Sequence, residues 1–148
     1  MPEMLETTVD KFTFKVTSDR YYNQEGVWAL PVENRIRIGL SDFLQQRSGD
    51  VAFAEVKPES THLVVGEEVA VIETIKVDIS LSSPLSGKVV AVNPMLMTSP
   101  EVINLDPYGE GWVAVIEAAD WESDRVDLLD PQAYFDLMLG QIEEEGKS

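Results

Sequence analysis

The amino-acid sequence predicts a mainly β fold, a flattened sandwich or hybrid barrel closed by a C-terminal helix. Two patterns carry that prediction. Short apolar segments of strand length recur from Phe12 to Glu117, separated by turn-forming Gly, Pro and Asn residues. A single helical pattern follows Asp130 and Pro131. The 148 residues are of ordinary size for one domain, and a 44% apolar, 26% charged composition suits a chain that buries a core. Residues 1–148 therefore read as one domain with a helical C-terminal segment over about 122–146.

Residues 1–10 read as a loose lead-in. Phe12, Phe14 and Val16 alternate with Thr13 and Lys15, which is a strand pattern. Segments 27–30 and 36–40 flank Pro31-Val32-Glu33-Asn34-Arg35, predicting a hairpin with Asn34 near its turn. Ser41 is placed to cap a short helix over 42–46 that Gly49 ends. Val51–Val56 is the next strand, and Pro58 breaks it. Segment 63–65 runs into a turn at Gly66-Glu67-Glu68, and strands follow at 69–73 and 77–81. A turn over 84–87 leads to a strand at 88–92, which Asn93-Pro94 ends. The last strand is 112–117. Asp130 and Pro131 supply the cap and first-turn proline of a helix running to about 145. Ala133, Phe135, Leu137, Met138 and Ile142 share one broad face of it, and Leu128 and Leu129 belong to a shorter preceding turn.

Composition removes several classes of function. There is no cysteine, so thiol chemistry must come from an attached group. His62 is the single histidine; a histidine zinc site and a Ser–His–Asp triad are disfavoured, and His62 reads as a polar strand-edge residue. A net charge of −16 repels phosphate backbones, so nucleic acid is not an expected partner. The acidity either suits soluble partners with basic docking faces or serves solubility or a saline habitat. No apolar run is long enough to cross a bilayer, and no membrane role is expected. Met1-Pro2-Glu3-Met4 lacks the basic and apolar regions of a secretory signal. The expectation is a cytoplasmic monomer.

Gly66 lies ten residues before Lys76 and Gly87 eleven after it, and each bounds a strand-length segment. That spacing sets Lys76 at the tip of a tight hairpin, exposed yet held by a sheet, as suits a group that is modified and then visits partners. Alone, a lysine at a turn is an ordinary surface residue. Its surroundings change the reading. Glu73 stands three residues before it in Val71-Ile72-Glu73-Thr74-Ile75-Lys76. Then come Ser83-Pro84-Leu85-Ser86-Gly87-Lys88-Val89-Val90, Asn93, Ser99-Pro100-Glu101-Val102-Ile103-Asn104 and Asp106-Pro107-Tyr108-Gly109-Glu110-Gly111-Trp112. With Ser41-Asp42-Phe43 and Gly49-Asp50, these blocks resemble the H proteins of the glycine cleavage system over about residues 25–142. The block from Asp106 to Trp112 is the most specific.

The resemblance implies a fold of the lipoyl/biotinyl carrier type, with two packed sheets and helices at the end. It implies lipoic acid joined by an amide to Lys76, with no catalysis by the carrier itself. In glycine cleavage the arm accepts an aminomethyl group, shelters it in a surface cleft and passes on the dithiol for reoxidation. The implied partners are a lipoylating enzyme, the glycine cleavage enzymes and dihydrolipoamide dehydrogenase. Glu73 and Asp78 either orient the hairpin and guide the lipoylating enzyme or are solvated strand residues. Asn104, Asp106, Pro107, Tyr108 and Trp112 line the arm's cleft, or else Pro107 and Gly109 shape a turn while Tyr108 and Trp112 fill core, the reading favoured for Trp112. Biotinyl carriers use the same hairpin but prefer Met on both sides of the lysine, where Ile75 and Val77 stand here.

Two departures bear on the pathway. H proteins usually follow the lysine with Ala and then Ser-Asp, whereas here the order is Lys76-Val77-Asp78-Ile79-Ser80. Their His-Glu-Trp block is missing, and Tyr21-Tyr22 and Gly26-Val27-Trp28-Ala29 occupy that region. A second subgroup, similar to the lipoate-binding proteins of bacterial sulfur oxidation, diverges around the arm and works with a heterodisulfide-reductase-like complex. The favoured expectation is a lipoyl carrier of that subgroup. The alternatives are an H protein of glycine cleavage and an adaptor whose Lys76 is never modified.

Overall fold

The central sheet is apolar on one face and covered over part of the other, so its strands at Val27–Val32 and Arg35–Leu40 carry consecutive buried residues. The computed structural model describes residues 3–146, so the ends of the sequence, including Met1 and Pro2 of the lead-in, lie outside the described residues. Strands β1 (Met4–Val9), β2 (Phe12–Thr17), β3 (Tyr21–Tyr22), β4 (Val27–Val32) and β5 (Arg35–Leu40) lead into helix α1 (Asp42–Ser48). Then follow β6 (Val51–Val56), β7 (His62–Leu63), β8 (Glu68–Thr74), β9 (Asp78–Ser82) and β10 (Gly87–Val92). Helix α2 (Val102–Leu105), β11 (Ala114–Ala118), helix α3 (Trp121–Asp124) and helix α4 (Pro131–Gly146) complete the order. A six-stranded antiparallel sheet runs β3-β4-β5-β11-β10-β7, and a three-stranded sheet runs β6-β8-β9.

The two sheets enclose the main core. Ile36, Ile38 and Ile116 of the larger sheet meet Ile72 and Leu81 of the smaller one, all buried in one cluster. Each such side chain contributes about 1.5–3 kcal/mol by leaving water. Alternate positions on β4 and β5 face the other way, where Trp28, Tyr22, Phe43, Tyr134 and Met138 form a second cluster. Trp28 lies flat on its cross-strand partner Gly39: a Cβ there would sit 2.5 Å from the indole, so only glycine fits. The indole N–H is shared between Leu40 O (3.0 Å) and Pro107 O (2.9 Å).

Most predicted elements stand where the pattern puts them. The β4–β5 turn falls at Glu33 and Asn34. The Ser41 hydroxyl caps α1 by accepting from Leu44 N, and α1 runs two residues further than expected, to Ser48. Asp130 caps α4 by accepting from Ala133 N at 2.8 Å. His62 is exposed on an edge strand.

Several details differ. The lead-in is ordered: Met4–Val9 pairs antiparallel with Phe12–Thr17 as a separate two-stranded sheet. Its alternation was hidden by polar residues on both faces. Helix α2 and strand β3 are too short to carry a period. The last strand begins at Ala114, not Trp112, because Val113 instead continues the ladder singly by donating to Ile38 O. Gly87 starts β10 rather than closing a turn. Leu129 does not sit in a turn but exchanges both backbone hydrogen bonds with Tyr22 (2.9 and 2.8 Å). The face of α4 centres on Tyr134 and Met138, both fully buried, while Ala133, Phe135, Leu137 and Ile142 are only half-buried beside it.

Tyr134 draws this face inward. Its ring stacks on Tyr22 at 4.5 Å between centroids, and its hydroxyl lies 2.8 Å from the Ser41 hydroxyl that caps α1. Burial pushes the Tyr134 phenol from 10.0 up to about 12, and it raises the phenols of Tyr22 and Tyr108 as well. A raised folded value means the neutral phenol is the form the fold prefers. That stability is complete below the unfolded value and is lost as pH rises through the folded one. The tyrosine contribution to stability should therefore be constant up to about pH 10 and fall above it, through about 12 for Tyr134. Tyrosinate absorbance at 295 nm should rise together with the loss of near-ultraviolet dichroism. Complete tyrosine ionisation near pH 10 with an intact dichroism spectrum would contradict this account.

Candidate functional site

Lys76 stands at the tip of the hairpin made by β8 and β9. The last register pair is Glu73↔Asp78, which leaves residues 74–77 as the tip, so Val77 belongs to the turn and not to the following strand. Ile75, Lys76 and Val77 are all exposed. Thr74 organises the turn: its N–H donates to Val77 O (2.9 Å), and its hydroxyl oxygen accepts from Lys76 N (3.2 Å) and Val77 N (2.9 Å). The single hydroxyl proton has two carbonyl acceptors in reach, Ser48 O at 2.6 Å and Val77 O at 2.7 Å.

The corner between α1 and β6 grips this tip from the side. Ile75 N donates to Asp50 O (3.0 Å), and the Lys76 ε-amine donates to Arg47 O (3.3 Å). Gly49 turns the chain at this corner. Its φ is +94°, in the region that favours glycine, and it packs against the hairpin tip, where a Cβ would lie 3.5 Å from Lys76 Cβ, an ordinary contact. Beneath the corner, Asn104 of α2 accepts from Val51 N (2.8 Å) and donates to Gly49 O (3.1 Å) and Gln45 Oε1 (3.0 Å). Asn104 thus braces the corner and does not line a cleft. Tyr108 is further away, its hydroxyl donating to Lys15 O and its ring beside the Arg20 guanidinium. Trp112 is half-buried beneath the Arg37 guanidinium.

A surface cleft of about 460 Å³ opens on the other flank, beside β9. Leu44 and Leu81 form its floor, and Arg47, Glu25, Asp78 and Gln141 stand around it. Asp78 therefore faces the cleft, while Glu73, its cross-strand neighbour, does not line it. Two carboxylates directly opposite one another repel by a few tenths of a kcal/mol, a small standing cost at this position. Neither forms an ion pair with Lys76 among the described residues.

The sequence blocks and this geometry agree with the comparisons to known proteins. The model of the glycine cleavage H-protein family matches residues 20–140. The chain belongs to that family. It is 44% identical over 107 residues to a glycine cleavage system H protein of Coprothermobacter proteolyticus, covering 72% of this chain and 84% of that protein. A Thermus thermophilus H protein is 35% identical over 123 residues, covering 83% and 95%. The crystal structure of a Mycobacterium marinum H protein superposes with a TM-score of 0.71 at 26% identity, covering 79% of this chain and 94% of that one. The β1–β2 hairpin precedes the matched region.

Members of this family are non-catalytic carriers with lipoic acid on a lysine, and this chain is a lipoyl carrier of the same type. The surroundings of Lys76 fit such a group. Acylation removes the ammonium charge, and among the described residues there is no ion pair at Lys76 to lose. Arg47 O, which accepts a hydrogen bond from the amine, can accept one from the amide N–H. The relatives favour the glycine cleavage alternative over the sulfur-oxidation subgroup expected from the departures around the arm, to which they give no support.

Sequence reasoning missed the grip itself. Thr74 lay inside the motif without a role, and Ser48, Asp50 and Asn104 are 26 to 28 residues from Lys76 along the chain. The one available signal was Gly49 directly after a Ser41-capped helix. Thr74→Val should cost about 1 kcal/mol and speed amide exchange at Lys76 and Val77, with slower lipoylation in a ligase assay. Asn104→Ala should cost about 1–3 kcal/mol, since it strands the Val51 amide; an unchanged urea midpoint would remove Asn104 from this role.

Proposed function

We propose that the lipoyl group is attached at Lys76 and that the chain serves glycine cleavage as its H protein, residues 1–148 forming one cytoplasmic, monomeric carrier domain. The observation that carries the proposal is an exposed lysine, without an ion pair among the described residues, clamped by the Ser48–Asp50 corner in a chain of this family. The names of the relatives support glycine cleavage over sulfur oxidation. The partners are a lipoylating enzyme, a glycine decarboxylase, an aminomethyl-transferring enzyme and dihydrolipoamide dehydrogenase.

Lipoic acid, when bound, supplies the disulfide that this cysteine-free chain lacks. The chain's own residues position and shelter. Thr74 and Asp50 fix the tip backbone so that the Lys76 side chain departs in a defined direction. The apolar floor of Leu44 and Leu81 excludes water on the cleft side. The carboxylates of Glu25 and Asp78 give that cleft a negative potential suited to a protonated amine. Glu25 is held in place by Ser82, which donates to it through its hydroxyl at 2.7 Å.

Intact-mass analysis of protein from lipoate-containing cells should show an increase of about 188 Da, the addition expected for a lipoyl amide, mapped to Lys76. Lys76→Arg should abolish it without changing the melting temperature. An unmodified Lys76 in such cells overturns the attachment site. Lipoylated protein should support glycine-dependent exchange of carbon dioxide by a glycine decarboxylase, and failure to do so would return the pathway to the sulfur-oxidation reading.

A further inference from the structure

On the flank of the hairpin away from the cleft, large apolar side chains stand in water. Ile75 is 77% exposed, Phe53 52%, Met97 91% and Leu105 79%. They come from separate stretches of chain that meet at residues 50–53. Phe53 continues the outward row Glu73–Asp78 across the smaller sheet. Ile75 is bonded to Asp50. Leu105 follows Asn104, whose amide holds Gly49 and Val51. Met97 ends the 3₁₀ turn Pro94–Met97 that packs along β6. Four exposed large apolar residues around one corner exceed the scattered singles of an ordinary surface and mark a contact site.

The charge around them has one sign. Segments 48–56, 68–87 and 89–124 contain no lysine or arginine except Lys76. The patch is therefore bordered by carboxylates, including Asp50, Glu73 and Asp106, and the segments that carry it hold no cation besides Lys76 itself. Any enzyme that takes an arm on Lys76 must approach this tip, so the patch lies inside its footprint. We propose that Phe53, Ile75, Met97 and Leu105 form the docking surface for the arm-receiving enzyme, which presents an apolar depression bordered by lysines and arginines. The inference rests on the carrier reading. It explains why the tip carries Ile75 rather than a polar turn residue: the side chain is kept for a partner, since the fold itself does not bury it.

The test uses full-length protein with its lipoyl load verified by mass, assayed with purified glycine decarboxylase by exchange of labelled bicarbonate into glycine. Leu105→Glu and Phe53→Glu should each raise KM about tenfold or more while kcat stays within about twofold. Leu105→Met should behave as wild type, and so should Phe12→Glu, an equally exposed aromatic on β2. Wild-type KM should rise with salt, as expected where a carboxylate border meets a basic one. Unchanged KM in both glutamate variants overturns the docking surface. If loaded wild-type protein is inactive with glycine decarboxylase, the pathway reading fails, and KM of the apo chain with purified lipoate–protein ligase then judges the patch by the same criterion. A dimer of the free protein that Leu105→Glu dissociates, with enzyme KM unchanged, also overturns it by assigning the patch to a second copy.

Discussion

An exposed hairpin tip has a problem that its own two strands do not solve: the turn's amides and carbonyls need partners, and a lone hairpin is marginal in water. In this protein the Thr74 hydroxyl and the Ser48–Asp50 corner solve it together. The hydroxyl closes the turn from within, and the corner supplies carbonyls from without. Everything asked of Lys76 depends on that arrangement. The side chain stands exposed, with one hydrogen bond to Arg47 O, on a backbone that is held.

The corner is itself held from two directions. Helix α1 is capped by Ser41, whose hydroxyl meets Tyr134 of α4, so the second core reaches the site through the helix. From below, Asn104 ties three groups of the corner to α2. Gly49 permits the sharp exit from α1 through its positive φ of +94°. A substitution there would strain the loop backbone, while its Cβ would meet the hairpin at ordinary contact distance. The site thus combines a rigid sheet with a corner braced by two helices, and little of its order comes from loop residues alone.

Much of this was legible in the sequence, for identifiable reasons. Strands with apolar–polar alternation, such as Phe12–Thr17 and Arg35–Leu40, announce themselves by period. The caps Ser41 and Asp130 and the hairpin around Lys76 follow from local chemistry. What local chemistry does not carry was missed. The strand Met4–Val9 has polar residues on both faces, and α2 is shorter than one period of its own pattern plus caps. Tyr134 outranks Phe135 and Leu137 in burial because its hydroxyl finds Ser41, a partner 93 residues away. Asn104 and Thr74 act through pairs separated by more than twenty residues, and a motif read in line does not show what it touches. The pathway departures at Val77 and Asp78 weighed too much, since they fall on solvent-facing positions where the fold tolerates change.

The corner has a consequence for how this lysine is addressed. The linear block from Val71 to Lys76 contains the residue to be modified but only part of its surroundings, because Arg47, Ser48 and Asp50 arrive from another stretch of the chain. With attachment at Lys76 as proposed, the surface offered to a modifying enzyme is conformational and not linear. A peptide carrying the whole hairpin sequence would present the lysine without its socket, and the unfolded or nascent chain would do the same. An enzyme that reads this socket would act on the folded chain, and the arm would then mark a chain that has already found its native shape.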